Sequence, residues 1–272
     1  MLDPGGNFIL NPTKHLLEQG GFSLLFSIRQ TRSVEIALAA KSAGYDSLYI
    51  DLEHGALTIA ETGQICVTAL AAGITPLVRV PAGATDVAAQ VLDLGAMGII
   101  APHITSPADA ERMVECCKYP PLGLRSNSAT LPQQWLTNLP FTKLQARVNE
   151  ETSVYAMIET AAGLDCVEGI AAVPGIDVLL VGTSDLSAEL GIPGQFGSDL
   201  IIKAFERVIA AASKHGKYVS VGGGIKGGAG SSATVLRKLR DMGVRQLSVG
   251  NDVAMLTAAM RQRVTEINDA MK

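Results

Sequence analysis

Clustered basic residues are missing from this sequence. Lys and Arg number 22 against 26 Asp and Glu, a formal net charge of -4, and no basic tract occurs. A nucleic-acid footprint needs Lys and Arg gathered on one face, so that class of partner is excluded. Long apolar runs are missing too. The best candidates, such as Ile170–Val181, are interrupted by Pro174, Gly175 and Asp177, and crossing a bilayer takes roughly 20 apolar residues. The first residues, Met-Leu-Asp-Pro-Gly-Gly, lack the basic region and apolar stretch of a secretory signal. Cysteine is scarce. Cys66, Cys116, Cys117 and Cys166 show no C-x-x-C spacing and read as reduced, mostly buried thiols of a cytoplasmic protein. The adjacent pair Cys116-Cys117 falls in a helical stretch and reads as packing, in preference to a zinc or catalytic site. No linker divides the chain, so one domain over residues 1–272 is expected. Segment 1–20 would be peripheral, and the C-terminal helix 252–272 could be exchanged between subunits.

What the sequence has is apolar mass in a regular rhythm. Apolar residues make up 47% and charged ones 18%, enough for a substantial core. Eight short apolar runs read as strands: Ser23–Ile28, Ser47–Ile50, Thr75–Val80, Gly98–Ala101, Val154–Ile158, Asp177–Val181, Tyr218–Val221 and Gln246–Val249. Most are continuous, not alternating, as parallel strands covered on both faces should be. Helical patterns lie between them: Ser33–Ser42, Ile59–Ala72, Asp86–Leu94, Pro107–Cys117, Ala162–Ala172, Leu200–His215 and Ser232–Asp241, with a last helix from Asp252. Ser33, Thr85 and Ser106 are candidate N-caps. A helix–Gly–strand phrase recurs at Gly44, Gly73, Gly95 and Gly243. Eight βα units predict a closed (β/α)8 TIM barrel of the usual size, about 250 residues. One stretch, Tyr119 to Glu151, breaks the rhythm and reads as a long functional or subunit-contact connection.

In such a barrel, reactive groups collect at the C-terminal ends of strands. Four strand ends carry polar residues: Asp51-Leu52-Glu53-His54, Arg79, Glu159, and Thr183-Ser184-Asp185. Two carboxylates, Glu159 and Asp185, suit a hard divalent cation such as Mg2+ or Mn2+, which keeps waters and takes one or two protein carboxylates. Helix capping by Asp185 and a surface ion pair for Glu159 are the rival readings. Arg79 lies between Val78 and Val80 and needs an anionic partner, either a substrate or a structural carboxylate. His54 is placed to be a general base, with His103 a competitor for that role. Asp93 closes an apolar helix, where it opposes the helix dipole and calls for a positive or hydrogen-bonding partner. The run Gly222–Gly227 fits a weak G-x-G-x-x-G pattern. It comes late, with no strand-ending acid about 20 residues on, so a mouth loop is the reading and no nucleotide or organic cofactor is expected. None of the strands holds a Lys, which argues against imine-forming catalysis.

Ile50–His54, Val78-Arg79, Lys118–Arg125 (Lys-Tyr-Pro-Pro-Leu-Gly-Leu-Arg), Ile158-Glu159 and Gly182–Ser187 together resemble the hydroxy-oxo-heptanedioate aldolase family. This class II, metal-dependent pyruvate aldolase group also includes dehydro-deoxy-glucarate aldolases and macrophomate synthase. The likeness runs in order from about Gly21 to the last helix. It implies a carbon–carbon lyase that makes a pyruvate-type enolate from a 4-hydroxy-2-oxo acid and adds it reversibly to an aldehyde. Glu159 and Asp185 match the ligands of the Mg2+, Mn2+ or Co2+ ion, and Arg79 the group that stabilises the enolate oxygen. His54 matches the base, Asp93 its carboxylate partner, and Gly182, Thr183 and Ser184 the cradle of the pyruvate carboxylate. Met157 stands where many members place a Gln that touches pyruvate. The resemblance also implies a homo-hexamer, a trimer of dimers. Enolate use on a non-aldehyde acceptor, as by macrophomate synthase, and a non-catalytic binding barrel are the alternatives.

Overall fold

The computed structural model describes residues 2, 3, 5, 6, 8–128, 130–223 and 232–272, with only the backbone at 232 and 233. Eight parallel strands close into a barrel in chain order: β1 (Ser23–Ile28), β2 (Ser47–Asp51), β3 (Thr75–Arg79), β4 (Gly98–Ala101), β5 (Ser153–Ile158), β6 (Val178–Gly182), β7 (Tyr218–Gly222) and β8 (Gln246–Asn251), with β8 pairing back onto β1. Every predicted strand is present to within two residues at each end. Alternate side chains face opposite ways. Leu25, Tyr49, Leu77, Ile100, Tyr155, Met157 and Leu180 fill the barrel interior. Their neighbours Leu48, Ile50, Val78, Ile99, Val154, Leu179 and Val181 pack under the helices. Both faces are apolar, which is why the strands read as unbroken runs.

The helices are α1 (Pro12–Glu18), α2 (Glu35–Ser42), α3 (Ile59–Ala72), α4 (Thr85–Asp93), α5 (Pro107–Cys117), α6 (Phe141–Glu151), α7 (Ala161–Asp165), α8 (Val167–Ala172), α9 (Thr183–Glu189), α10 (Asp199–Lys214), α11 (Ser232–Met242) and α12 (Asp252–Ala270). Ser106 caps α5 as its sequence suggests. Ser33 and Thr85 do not cap: α2 starts after Val34, and Thr85 is itself the first residue of α4. Thr58 supplies an unforeseen cap, a reciprocal pair with Glu61 at the start of α3. Gly73 ends α3 in the left-handed region that a glycine enters without steric cost. The helix expected over Ala162–Ala172 is divided at Cys166 into α7 and α8.

Two expectations need correcting. The N-terminal segment is not peripheral. Asn11 is fully buried, and its side-chain amide donates to the Met97 and Glu151 carbonyls. Leu17 of α1 joins the interior cluster, so the segment closes the N-terminal end of the barrel. Nor is Tyr119–Glu151 irregular throughout. It contains α6, and Leu144 and Val148 pack with Phe8, Tyr119 and Leu131 in a small core of their own. The buried Lys118 donates to the Asn149 and Thr152 carbonyls and ties the motif to that helix. Two cysteines are buried and two half-buried, all free.

α12 starts against the barrel, where Ala254, Met255 and Ala258 line the mouth, and leaves most of its length exposed. Asp252 is its one buried residue, while Val253, Leu256, Met260, Val264 and Ile267 are exposed at spacings of three and four. Among the described residues, no helix is long and apolar enough to cross a membrane.

Candidate active site

Strand alternation brings the chemistry to one end. Residues 27 and 29, 49 and 51, 77 and 79, and 155, 157 and 159 continue inward-facing rows to the C-terminal mouth. There Arg29, His54, Arg79, Glu159 and Asp185 line a cavity of about 940 Å3. A mouth of this kind, apolar below and polar above, is where barrel active sites form.

Asp51 and Arg79 are register partners on β2 and β3. Arg79 donates from Nε to Asp51 Oδ1 at 2.9 Å and from Nη2 to Asp51 Oδ2 at 2.6 Å, a bidentate pair. Its Nη1 lies 2.7 Å from Glu53 Oε2, and its guanidinium stacks 5.3 Å above the Tyr49 ring. Arg79 is therefore held by structural carboxylates. A guanidinium has five N–H donors; Asp51 takes two of them, and Nη1 faces Glu53 as an ion pair. Burial opposes the charge of Asp51, yet the hydrogen bonds and charge of Arg79 prevail and hold its carboxyl below the usual range. Asp51 Oδ1 also accepts the backbone N–H of Glu53 and of His54, each at 3.1 Å, so one carboxylate fixes both the arginine and the loop carrying the histidine.

Glu159 is buried. Its Oε1 accepts the His103 N–H at 2.8 Å, while Oε2 is buried without a hydrogen-bond partner. Burial pushes its pKa up; the His103 hydrogen bond and ring oppose this, and the Asp185 and Glu53 charges add to it. Among the described residues, no Lys or Arg lies within ion-pair distance of Glu159 or Asp185. An orphaned buried carboxylate oxygen beside a second carboxylate fits a divalent cation. No cluster of three or more His, Cys, Asp or Glu ligands occurs among the described residues. Two carboxylates are hard oxygen donors, which suit an ion that keeps waters. The capping reading of Asp185 fails: Gly182 is the N-cap residue of α9, with no side-chain cap. A Cβ at Gly182 would lie 2.6 Å from Glu159 Oε2, so glycine is what lets β6 pass this carboxylate.

His54 is exposed at the mouth, with Nε2 3.8 Å from Glu53 Oε2. His103 lies two residues beyond β4 in a left-handed conformation, φ 52°. Its ring lies 3.3 Å from Glu53 and 3.5 Å from Glu159. Asp93 does not meet His54 within this chain. It pairs instead with Arg125 at 2.6 Å, the positive partner its place at a helix end calls for. Arg125 in turn lies 5.0 Å above the Tyr119 ring. Thr183 is buried with its hydroxyl unpaired, and Ser184 lines the cavity. Met157 lies below them, its sulfur 3.8 Å from the Tyr49 hydroxyl. Gly222 ends β7, and a Cβ on Gly223 would meet Ser184 Oγ at 2.7 Å. The rest of the Gly222–Gly230 loop, with Lys226, lies outside the described residues.

Sequence reasoning missed Asp51 and Glu53 as site residues, and Arg29 altogether. Asp51 carried a signal, an acid ending a strand whose neighbour ends in Arg79, but reading it requires the register between the two strands.

The profile of the HpcH/HpaI aldolase/citrate lyase family matches residues 23–225. The 4-hydroxy-4-methyl-2-oxoglutarate aldolase of Hapsidospora irregularis is 44% identical over 199 residues, 72% of this chain and 73% of that protein. The enzyme of the same name from Chaetomium globosum is 40% identical, over 72% of this chain and 74% of its own. The crystal structure of an HpcH/HpaI aldolase from Desulfitobacterium hafniense superposes with a TM-score of 0.86 at 27% identity, covering 93% of this chain and 95% of that one.

Proposed function

The chain belongs to the HpcH/HpaI aldolase/citrate lyase family, and from that premise we propose that it is a divalent-metal-dependent class II aldolase releasing pyruvate from a 4-hydroxy-2-oxo acid. That it is an enzyme of the aldolase and lyase type follows from the family and its named relatives. The observation that carries the finer reading is the buried, unpartnered Oε2 of Glu159 beside Asp185 at the mouth.

Glu159 and Asp185 would hold the cation, Mg2+, Mn2+ or Co2+, which supplies Lewis acidity at the 2-oxo group when bound. The backbone of Gly182, Thr183 and Ser184, in the uncapped first turn of α9, receives the carboxylate of the 2-oxo acid, over Met157. His54 takes the proton of the C4 hydroxyl. The C3–C4 bond then breaks, its electron pair moves to C3, and the carbonyl fragment leaves. Arg79 keeps positive charge where the enolate oxygen develops, and protonation at C3 completes pyruvate. Asp51 and Glu53 set the position of Arg79. Asp93 is the partner that the family resemblance assigns to His54; within one chain it is engaged by Arg125, so that pairing needs a second subunit.

The direct test uses 4-hydroxy-4-methyl-2-oxoglutarate, the aldol dimer of pyruvate. EDTA-treated protein should release no pyruvate, and adding Mn2+ or Mg2+ should restore release. Pyruvate formation that persists in EDTA removes the metal assignment. His54→Ala should slow exchange of the pyruvate methyl protons by about 100-fold, the usual scale for losing a general base; an unchanged rate moves the role to His103.

The assembly we propose is a homo-hexamer, a trimer of dimers with α12 exchanged between cytoplasmic subunits. The exposed apolar stripe of α12 supports it, since such a face needs a partner. Leu256→Asp with Met260→Asp should convert hexamer to smaller species in light scattering. Wild-type protein that runs as a monomer contradicts the exchange.

A further inference from the structure

The cavity is far larger than pyruvate requires, and its β1–β8 side has no part in the chemistry just described. Among the described residues, Ser27, Ser248 and Asn251, uncharged, stand on that side with one cation, Arg29. The position of Arg29 is built. Asp252, itself buried, accepts the backbone N–H of Arg29, Gln30 and Thr31 on a single oxygen, Oδ2, at 3.2, 2.9 and 2.7 Å. The Arg29 carbonyl accepts from Ala56 at 2.7 Å. The side chain is steered as well: its Nε is buried 3.1 Å from Asp51 Oδ2.

Two guanidiniums thus share Asp51 and differ in what they have left. Arg79 is 4% exposed and engaged on three sides. Arg29 is 44% exposed, and Asp51 is its one ion-pair partner among the described residues. Exposing one end of a guanidinium while anchoring the other presents its fork of donors, the geometry that binds a carboxylate. The barrel order sets the direction. Glu159 follows β5, four strands from β1 in either direction around the ring. A 2-oxo acid held by the β5 and β6 ends therefore extends its far end across the mouth toward β1.

We propose that Arg29 is a specificity-determining residue that binds the distal carboxylate of a dicarboxylic substrate, a 4-hydroxy-2-oxo acid whose cleaved fragment is itself an oxo acid. This rests on the aldolase reading above. A neutral aldehyde acceptor has no use for a cation at this place, whereas an oxo-acid acceptor carries the charge that Arg29 would neutralise.

The test is a pair of non-cleavable ligands, 2-oxoglutarate and 2-oxopentanoate, alike except that the second ends in a methyl group. Calorimetry on the Mn2+-loaded, full-length protein should find 2-oxoglutarate bound about 10- to 100-fold more tightly, the scale of one charge-assisted hydrogen-bonded pair. Arg29→Met should bring that ratio to within about threefold of one, and Arg29→Lys, which keeps the charge, should retain most of it. A wild-type ratio near one, or no binding of either ligand, overturns the proposal. So does an Arg29→Met protein that weakens both ligands alike and keeps the ratio, because Arg29 would then only support Asp51. Methyl-proton exchange of pyruvate, measured on the same protein, reads the enolate chemistry separately. Exchange with a ratio near one sinks the Arg29 assignment alone. A high ratio without exchange sinks the aldolase mechanism and leaves a dicarboxylate site.

Discussion

Glu159→Gln should lower turnover of a 4-hydroxy-2-oxo acid by about a thousandfold or more while the barrel stays folded. Losing the Lewis acid forfeits several kcal/mol of transition-state stabilisation, and each 1.36 kcal/mol is a factor of ten. The substitution is close to isosteric. A Gln oxygen can still accept the His103 N–H that Glu159 Oε1 accepts now. What disappears is the charge at Oε2, buried with no partner. Burying such a charge is costly, so the metal-free variant should melt at the wild-type temperature or above it. Metal binding raises the stability of a protein in proportion to its affinity, and that rise should vanish in the variant. A drop in turnover with the metal-induced rise in melting temperature intact would place the ion elsewhere. A lower melting temperature without metal would mean that Glu159 is a structural acid.

The second large effect lies at Asp51. Asp51→Asn breaks the bidentate pair with Arg79 and leaves two guanidiniums, those of Arg29 and Arg79, without their shared carboxylate. Removing one partner of a buried ion pair costs about 3–5 kcal/mol, and a drop in melting temperature of about 10 °C follows for a chain of this size. Activity should fall as well, because Asp51 also accepts the His54 N–H. Combining it with Arg79→Met should cost less than the sum of the single changes, since both disrupt one contact. The pH dependence has a definite sign. Arg79 holds the Asp51 carboxyl below its ordinary value, so its contribution is complete at neutral pH and above. It is lost as pH falls below about 4, through the depressed value. An Asp51→Asn protein as stable as wild type at pH 7 would show that the network contributes nothing net to folding.

Much of this was legible in the residues. The strands announced themselves because a parallel barrel buries both faces, so each reads as an unbroken apolar run. Glu159, Asp185, Arg79 and His54 stood out as polar residues at or within four residues of the ends of such runs, and the fold brings all four to one mouth. α6 was hidden by the prolines before it, although Phe141, Leu144 and Val148 keep helical spacing. Other features depended on contacts between distant segments. Asp51 gains its meaning from lying opposite Arg79 in register. Asn11 closes the barrel through Glu151 and Met97, far along the chain. Asp93 illustrates the same limit: its place at a helix end called for a positive partner, and only the fold identifies it as Arg125.

Enolate formation at this mouth is read by deuterium exchange into the methyl group of pyruvate, followed by NMR. EDTA-treated protein is compared with the same sample after Mg2+, Mn2+ or Co2+ is added. On the proposed mechanism, with a cation at Glu159 and Asp185 and a base at His54, exchange should appear only with metal. No exchange with any of these metals, from protein shown to be folded, would contradict it and mean that pyruvate is not the nucleophile of this site.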